Sequence, residues 1–305
     1  TAPEALRTGI VISNYLNRSF LTEKLIRIAT EKSKLRAFCA LHGLSGPLGF
    51  LCSPGYDFSK TGLELPVIVK PDITRIGKAQ IRVCSELKQF DRGVVRAASV
   101  SANNKVEVEE YLPGIDVSCL CYFDARRLVD VAWWDELVGV TQDGSIIGLG
   151  VSVPSVLEKT SSFQLAKQFL LRLGESIRKN NVLLIVSLRI TLDGGISLIE
   201  IHADLGGDLV ADILLPAANR EFNFFDFAID FTLGTVTIKE QVCFEPVMIC
   251  YIKNALGYQL YEAGTPEENL KKLPAIAQER AIKLSIPPLH LEWSTKNQVH
   301  EGCKI

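Results

Sequence analysis

The stretch Leu65-Pro66-Val67-Ile68-Val69-Lys70-Pro71 reads as a buried strand: three consecutive β-favouring apolar residues are bounded by prolines, and a lysine closes the run. The loop that follows, Asp72 to Lys78, brings Thr74, Gly77 and Lys78 near that lysine. Such a set could hold phosphate oxygens, although a solvated strand-end lysine explains Lys70 on local sequence alone. Working outward, Ile81 to Cys84 and Val94 to Ala98 are expected as two further strands flanking a short helical segment, Ser85 to Phe90. Val106 to Leu112 alternates polar and apolar residues as another strand, which completes a small α+β lobe. That strand ends in adjacent carboxylates, Glu109 and Glu110, before Tyr111, Leu112, a Pro113-Gly114 turn and Asp116. Upstream, Leu25, Ile28, Leu35, Phe38 and Leu41 fall at helical spacings within 20–42, as one amphipathic helix or two short ones, and Gly43 stops the run as a C-terminal cap would.

Downstream, Asp116 to Ala132 reads as a hairpin of two long strands with Cys119 and Cys121 on one face, and 156–179 is the clearest amphipathic helix. Leu183 to Ile190 and Ile196 to Ile201 form a second hairpin, in which Asp193-Gly194 supplies the positive φ of a tight turn. Glu200 and His202 point to the same face of that strand, so a carboxylate and an imidazole converge as two ligands of a divalent ion could. Gly206 and Gly207 precede a helical block, Asp208 to Ala218; they would let backbone approach a ligand, and a plain tight turn explains them equally well. The aromatic residues between 222 and 231 read as core rather than as a ligand cage. Trp133 and Trp134 are strand neighbours facing opposite sides, so only one can line a cleft. Phe244 to Lys253 is strand-like, and a Pro/Glu/Lys-rich link lies near Thr265 to Lys272. Strands and helices are interspersed without strict βαβ alternation, which argues for α+β lobes over a barrel or a doubly wound sheet.

Composition narrows the function classes. The 305 residues are 47% hydrophobic and 22% charged, which describes a packed globule large enough for several lobes. With 33 Lys+Arg against 35 Asp+Glu there is no basic footprint for phosphate-backbone binding, which argues against a dedicated nucleic-acid protein while nucleotide binding at one local site stays open. No apolar run reaches the roughly 18 residues of a membrane helix. The eight cysteines show no Cys-x-x-Cys pair and read as reduced core thiols. The start, Thr1-Ala2-Pro3-Glu4, has neither a signal peptide nor an initiating Met, so the expectation is a soluble cytoplasmic chain that is a fragment or processed.

Six segments, taken in order and spacing, resemble the ATP-grasp superfamily. They are Glu31-Lys32…Arg36 before Gly43…Pro47, the Leu65–Pro71 strand, Glu86-Leu87, Val108 to Asp116, Gly150 to Ser155, and Asp193-Gly194 through Glu200 and His202 to Asp208. The match runs from about Lys32 to about Gly234 and is closest to carboxylate–amine ligases of the amino-acid ligase and biotin-carboxylase kind. It implies an α+β ATP-grasp fold: two lobes with a nucleotide cleft between them, a small β-rich C-terminal segment, and an N-terminal lobe that is short or absent. The expected divisions are 1–55 (N-terminal remnant and linking helix), 56–112 (small lobe), 113–238 (large lobe) and 239–305 (C-terminal cap). The resemblance implies ATP and Mg²⁺ as cofactors. Lys32 and Lys70 would contact the phosphates under the Thr74–Lys78 loop, Glu109, Glu110, Tyr111 and Leu112 would line the adenine, and Asp116 would face the ribose. Glu200 takes a magnesium-ligand position beside His202, and Arg189, Asp204 and Asp208 would face the acceptor. The implied activity is ligation of a small-molecule carboxylate to an amine or thiol through an acylphosphate.

Several positions depart from the family pattern. Ser187 stands where the first acidic metal ligand is expected, His202 replaces the usual Asn, and Asp204 replaces an Arg. Gly148 and Val151 take the places of a Glu and a His, and Gly77 is the only glycine of the phosphate loop. A serine hydroxyl is a far weaker magnesium ligand than a carboxylate. Three explanations compete: a ligase with unusual substrates, a degenerate domain that binds nucleotide without turnover, or a scaffold that serves as a protein-interaction module. An apolar face left by the missing lobe would suit the mean hydropathy of +0.19, and suggests further domains or a dimer.

Overall fold

The computed structural model describes residues 3–15, 22–74, 80–124, 127–177, 182–204, 209–236 and 242–251, with Ala275 and Glu279 beyond them. Lys78, Gly206, Gly207, Asp208, Cys303 and the link near 265–272 lie outside the described residues. Three helices lead in: α1 (Pro3–Tyr15), α2 (Glu23–Thr30) and α3 (Lys32–His42). The helical pattern of 20–42 divides because Glu31 takes an extended conformation, φ −110° and ψ 107°, and Gly43 closes α3 at φ 62°.

The small lobe is an antiparallel sheet of β1 (Gly49–Cys52), β2 (Val67–Pro71), β3 (Arg82–Cys84) and β4 (Val106–Glu110), in the order β1-β4-β2-β3. One face packs on helix α4 (Leu87–Val100) through Val67, Val69, Val106 and Val108. The expected strand Val94–Ala98 lies inside α4, which corrects that expectation. The buried residues Phe90, Gly93, Val94, Ala97 and Ala98 fall at i, i+3, i+4, i+7 and i+8, so the helical period outweighs the local β preference of two valines. β1 precedes the division expected at residue 55 and pairs with β4 inside this sheet.

The large sheet contains β5 (Gly114–Asp124), β6 (Arg127–Val140), β7 (Ile146–Val153), β8 (Val182–Thr191), β9 (Ile196–His202) and β10 (Val247–Cys250). Its order is β10-β7-β6-β5-β8-β9 and every pairing is antiparallel. β10 pairs along β7, where Gly150 is required: a Cβ there would stand 2.1 Å from the Ile249 carbonyl oxygen. The helix expected at 156–179 is a 3-10 turn, Val156–Lys159, followed by α5 (Ser162–Ile177). A short π-helix (Val210–Leu214), α6 (Leu215–Ala218) and α7 (Phe224–Leu233) follow β9.

Period-two alternation gives the large sheet two distinct faces. Val117, Cys119, Cys121 and Phe123 of β5, with Leu184, Val186 and Leu188 of β8, form a core with α2, α3 and α5. The intervening residues Leu120, Tyr122 and Ile185 form a second core with α6 and α7. Along that second face each strand turns polar towards one end, at Asp116 and Ser118 in β5 and at Ser187 and Arg189 in β8. Trp133 joins the first core and Trp134 the second, as their opposite orientation requires. Of the described cysteines, 39, 52, 84, 119 and 121 are buried free thiols, Cys250 is half-buried and Cys243 exposed. Among the described residues no helix is long and apolar enough to cross a membrane.

Candidate active site: a cleft between the two sheets

A cavity of about 390 Å³ opens where the polar end of the large sheet meets the uncovered face of the small one. That volume falls in the range of small-molecule sites. Its wall contains Lys32, Lys70, Thr74, Glu109, Glu110, Leu112, Asp116, Arg189, Glu200, His202 and Asp204. Tyr111 is not part of the wall; its backbone N–H donates to the Pro66 carbonyl at 3.3 Å.

The small-sheet wall is built around one carboxylate. Glu107 and Glu109 lie on the face of β4 opposite its valines, and both are 1% exposed. Lys70 Nζ lies 2.6 Å from Glu109 Oε2, and Arg36 Nε lies 3.0 Å from Oε1. Burial alone would raise the Glu109 carboxyl, but the Arg36 and Lys70 charges outweigh it and hold it below the usual range. Arg36 reaches from α3 to the other sheet as well. A bulge opposite Ser187 and Leu188 leaves Ile199 without a partner residue in β8, and the Arg36 guanidinium donates to the Leu198 and Ile199 carbonyls there. Gly46 passes over this group, where a Cβ would stand 2.6 Å from Arg36 Nη1. Lys32 is placed by the start of α3. Asp72, from the loop after β2, accepts from the Ser33 backbone N–H at 2.8 Å and is held by the Asn103 amide at 2.7 Å. Burial, and then the neighbouring Lys70 charge, push the Lys32 ammonium below its ordinary pKa against the pull of Glu200 and Glu109. Glu107 is pushed up to about 7 by burial and by Glu109. Glu110 accepts from the Leu48 N–H at 2.8 Å and so fixes the loop before β1.

The large-sheet wall is arranged differently. Arg189 donates twice to Asp116, at 2.7 Å to each carboxylate oxygen, and once to the Leu112 carbonyl at 2.9 Å. The residues expected at the ribose and at the acceptor are thus bound to each other, and they secure the chain between β4 and β5. Ser118 donates to Glu136 Oε1 at 2.6 Å and lies 2.8 Å from Ser187 Oγ, which reaches the same oxygen at 3.3 Å. His202 Nε2 lies 3.3 Å from Glu200 Oε1, as their shared face predicts. Burial would lower the imidazole pKa, but Glu200, then Asp204 and Glu136, raise it to about 9, so His202 is cationic at neutral pH.

No protein-family model and no curated protein matches this sequence. Solved structures do match it. An L-amino acid ligase from Bacillus licheniformis superposes with a TM-score of 0.60 at 17% identity, over 72% of this chain and 52% of the ligase. An ADP complex of N5-carboxyaminoimidazole ribonucleotide synthetase gives 0.63 at 14% identity, over 86% and 72%. Biotin carboxylase from Campylobacter jejuni, in a β,γ-ATP complex, gives 0.61 at 13%, over 79% and 55%. The chain has the ATP-grasp fold. It spans about half the length of the amino-acid ligase it matches.

An ATP-grasp cleft of this volume, with a buried lysine and a half-buried one in its wall, suits a nucleotide. The magnesium expected with it does not suit the donor set. Among the described residues no group of three His, Cys, Asp or Glu side chains could hold a metal ion. Ser187 is neutral and occupied by Glu136, and Glu200 faces an imidazolium. Three residues in or behind this cleft escape a reading from sequence: Glu136 in its wall, and Arg36, which receives no role there, and Ser118 bonded behind it. Glu136 had a signal, since it stands two positions after Trp134 on a strand and so shares its face.

Proposed function

We propose that the cleft binds ATP and that the chain is, or is a domain of, an ATP-dependent carboxylate–amine (or thiol) ligase. The observation that carries this reading is the convergence of Lys32 and Lys70 on one cavity, Lys70 being held by Glu109, which Arg36 pairs in turn. Both ammonium groups are positioned by backbone elements, a helix start and a strand end, so they need little reorganisation to meet phosphate oxygens. A phosphate beside Lys32 would also restore the charge that burial and Lys70 disfavour. Leu112 and Trp134 supply apolar surface in the same cavity for a base. The reaction class is transfer of the γ-phosphoryl group to a carboxylate oxygen with release of ADP. An amine or thiol then attacks the acyl carbon, expels inorganic phosphate and gives up a proton.

A second reading, nucleotide binding without turnover, is favoured by one observation: the cationic group expected to face an acceptor, Arg189, is already paired with Asp116 in a bidentate bond. Calorimetric titration of ATP into Lys70→Met tests the shared part of both readings. Without the ammonium to bond a phosphate oxygen, ATP should bind at least about tenfold more weakly. Arg36 still pairs Glu109 in that variant, so a thermal melt should show it folded. Unchanged ATP affinity would sink the assignment. Release of ADP or phosphate over a panel of amino acids, other small carboxylates and thiols separates the ligase from the binding module.

A further inference from the structure

We infer that this cleft takes up the nucleotide's phosphates without a divalent cation, their charge being met by side-chain cations already in the wall. The inference rests on the nucleotide reading above. The polar groups across the large sheet fall into two bonded sets, Glu136 with Ser118 and Ser187, and Glu200 with His202. Two of these groups are neutral hydroxyls 2.8 Å apart: Ser118 donates to Glu136 Oε1, and the single proton of Ser187 goes to Ser118 Oγ or to that same Glu136 oxygen. Mg²⁺ requires near-octahedral oxygen ligands at roughly 2.0–2.1 Å, and it sheds water reluctantly. To reach it, Ser187 would have to leave Glu136 and offer an uncharged oxygen in exchange. Glu200, the register partner of Ser187 across β8 and β9, carries the His202 Nε2 at 3.3 Å on the oxygen it would present. Opposite this row stand Lys32 and Lys70, with Arg36 behind them. Among the described residues the cavity therefore offers a phosphate chain compact cations on one side and carboxylates already engaged with neighbours on the other.

The test is calorimetry of ATP into the full chain in EDTA and in excess Mg²⁺. The expected result is the same affinity within about twofold in both buffers. Binding only with Mg²⁺, or binding about tenfold tighter with it, overturns the inference and leaves the nucleotide reading intact. Absence of binding in both buffers overturns both. Ser187→Asp supplies the complementary measurement, because it sets a carboxylate directly beside Glu200. In that variant Mg²⁺ should tighten ATP about tenfold and Mg²⁺ alone should raise the melting temperature, neither effect being present in the parent. An equal Mg²⁺ effect in parent and variant overturns the inference, and a variant indifferent to Mg²⁺ overturns the assignment of Ser187 as the deciding position. If Ser187→Asp does not fold, the parent titration decides alone.

Discussion

The two walls of the cleft both carry charged groups, but they keep them in different media. On the small-sheet wall Lys70 is 6% exposed and Glu109 1%, whereas on the large-sheet wall His202 and Glu200 are 35% and 34% exposed. Burial makes the first wall rigid and costly to disturb: each charge there is tolerable only because its partners are in place. On the second wall the Glu200–His202 pair is exposed enough for its charges to be screened and its partners exchanged, while Arg189, Ser118 and Ser187 beside it are buried.

Arg36→Met is the strongest way to break this comparison. It strands the Glu109 carboxylate beside Lys70 alone and frees the bulge carbonyls of Leu198 and Ile199 inside the protein. A loss of about 3–5 kcal/mol in urea unfolding is expected. A loss under about 1 kcal/mol would mean that this wall is as solvated as the other.

The next effect follows from Glu107, whose carboxyl is raised from 4.5 to about 7 by burial and then by Glu109. A carboxyl raised in the folded state favours folding when protonated. Its contribution is fully present below about 4.5 and is lost as pH rises through about 7, roughly 3 kcal/mol in all. Glu107→Gln keeps the neutral form at every pH, so the decline in stability between those values should flatten. An unaltered pH profile would show that Glu107 titrates near its ordinary value, and that the wall is less dry than its geometry implies.

How much of this was legible before the structure depends on whether an interaction is local. Strand alternation was readable: Asp116, Ser118 and Leu120 on one face against Val117, Cys119 and Cys121 on the other, and Glu200 with His202. The lysine at the end of the Leu65–Pro71 strand was readable for the same reason, and the two-lobed arrangement through the resemblance of six segments to the ATP-grasp superfamily. Val94 and Val95 mislead as β formers unless the i, i+3, i+4 recurrence that starts at Phe90 is counted, and that recurrence is what α4 obeys. What no local pattern contains is the bulge at Ile199 that turns two carbonyls towards Arg36, or the capping of α3 by Asp72, 39 residues from the Ser33 N–H it accepts. Those depend on which segments meet once the sheets have formed. So does the pairing of Arg189 with Asp116, which joins two residues that the sequence placed in separate roles.

The smallest expected effect sharpens the comparison from the wet side. Glu200→Gln removes the carboxylate facing His202 without changing its shape. Because each partner keeps about a third of its surface, the loss in stability should be at most about 1 kcal/mol at low salt, and should vanish near 1 M NaCl, where the screening length falls to about 3 Å. The Arg36→Met loss should persist in the same salt, since ions do not reach a pair at 8% and 1% exposure. Urea unfolding of both variants at two salt concentrations measures this directly. Equal salt sensitivity of the two would show one continuous electrostatic environment across the cleft, and the division of labour between its walls would have to be abandoned.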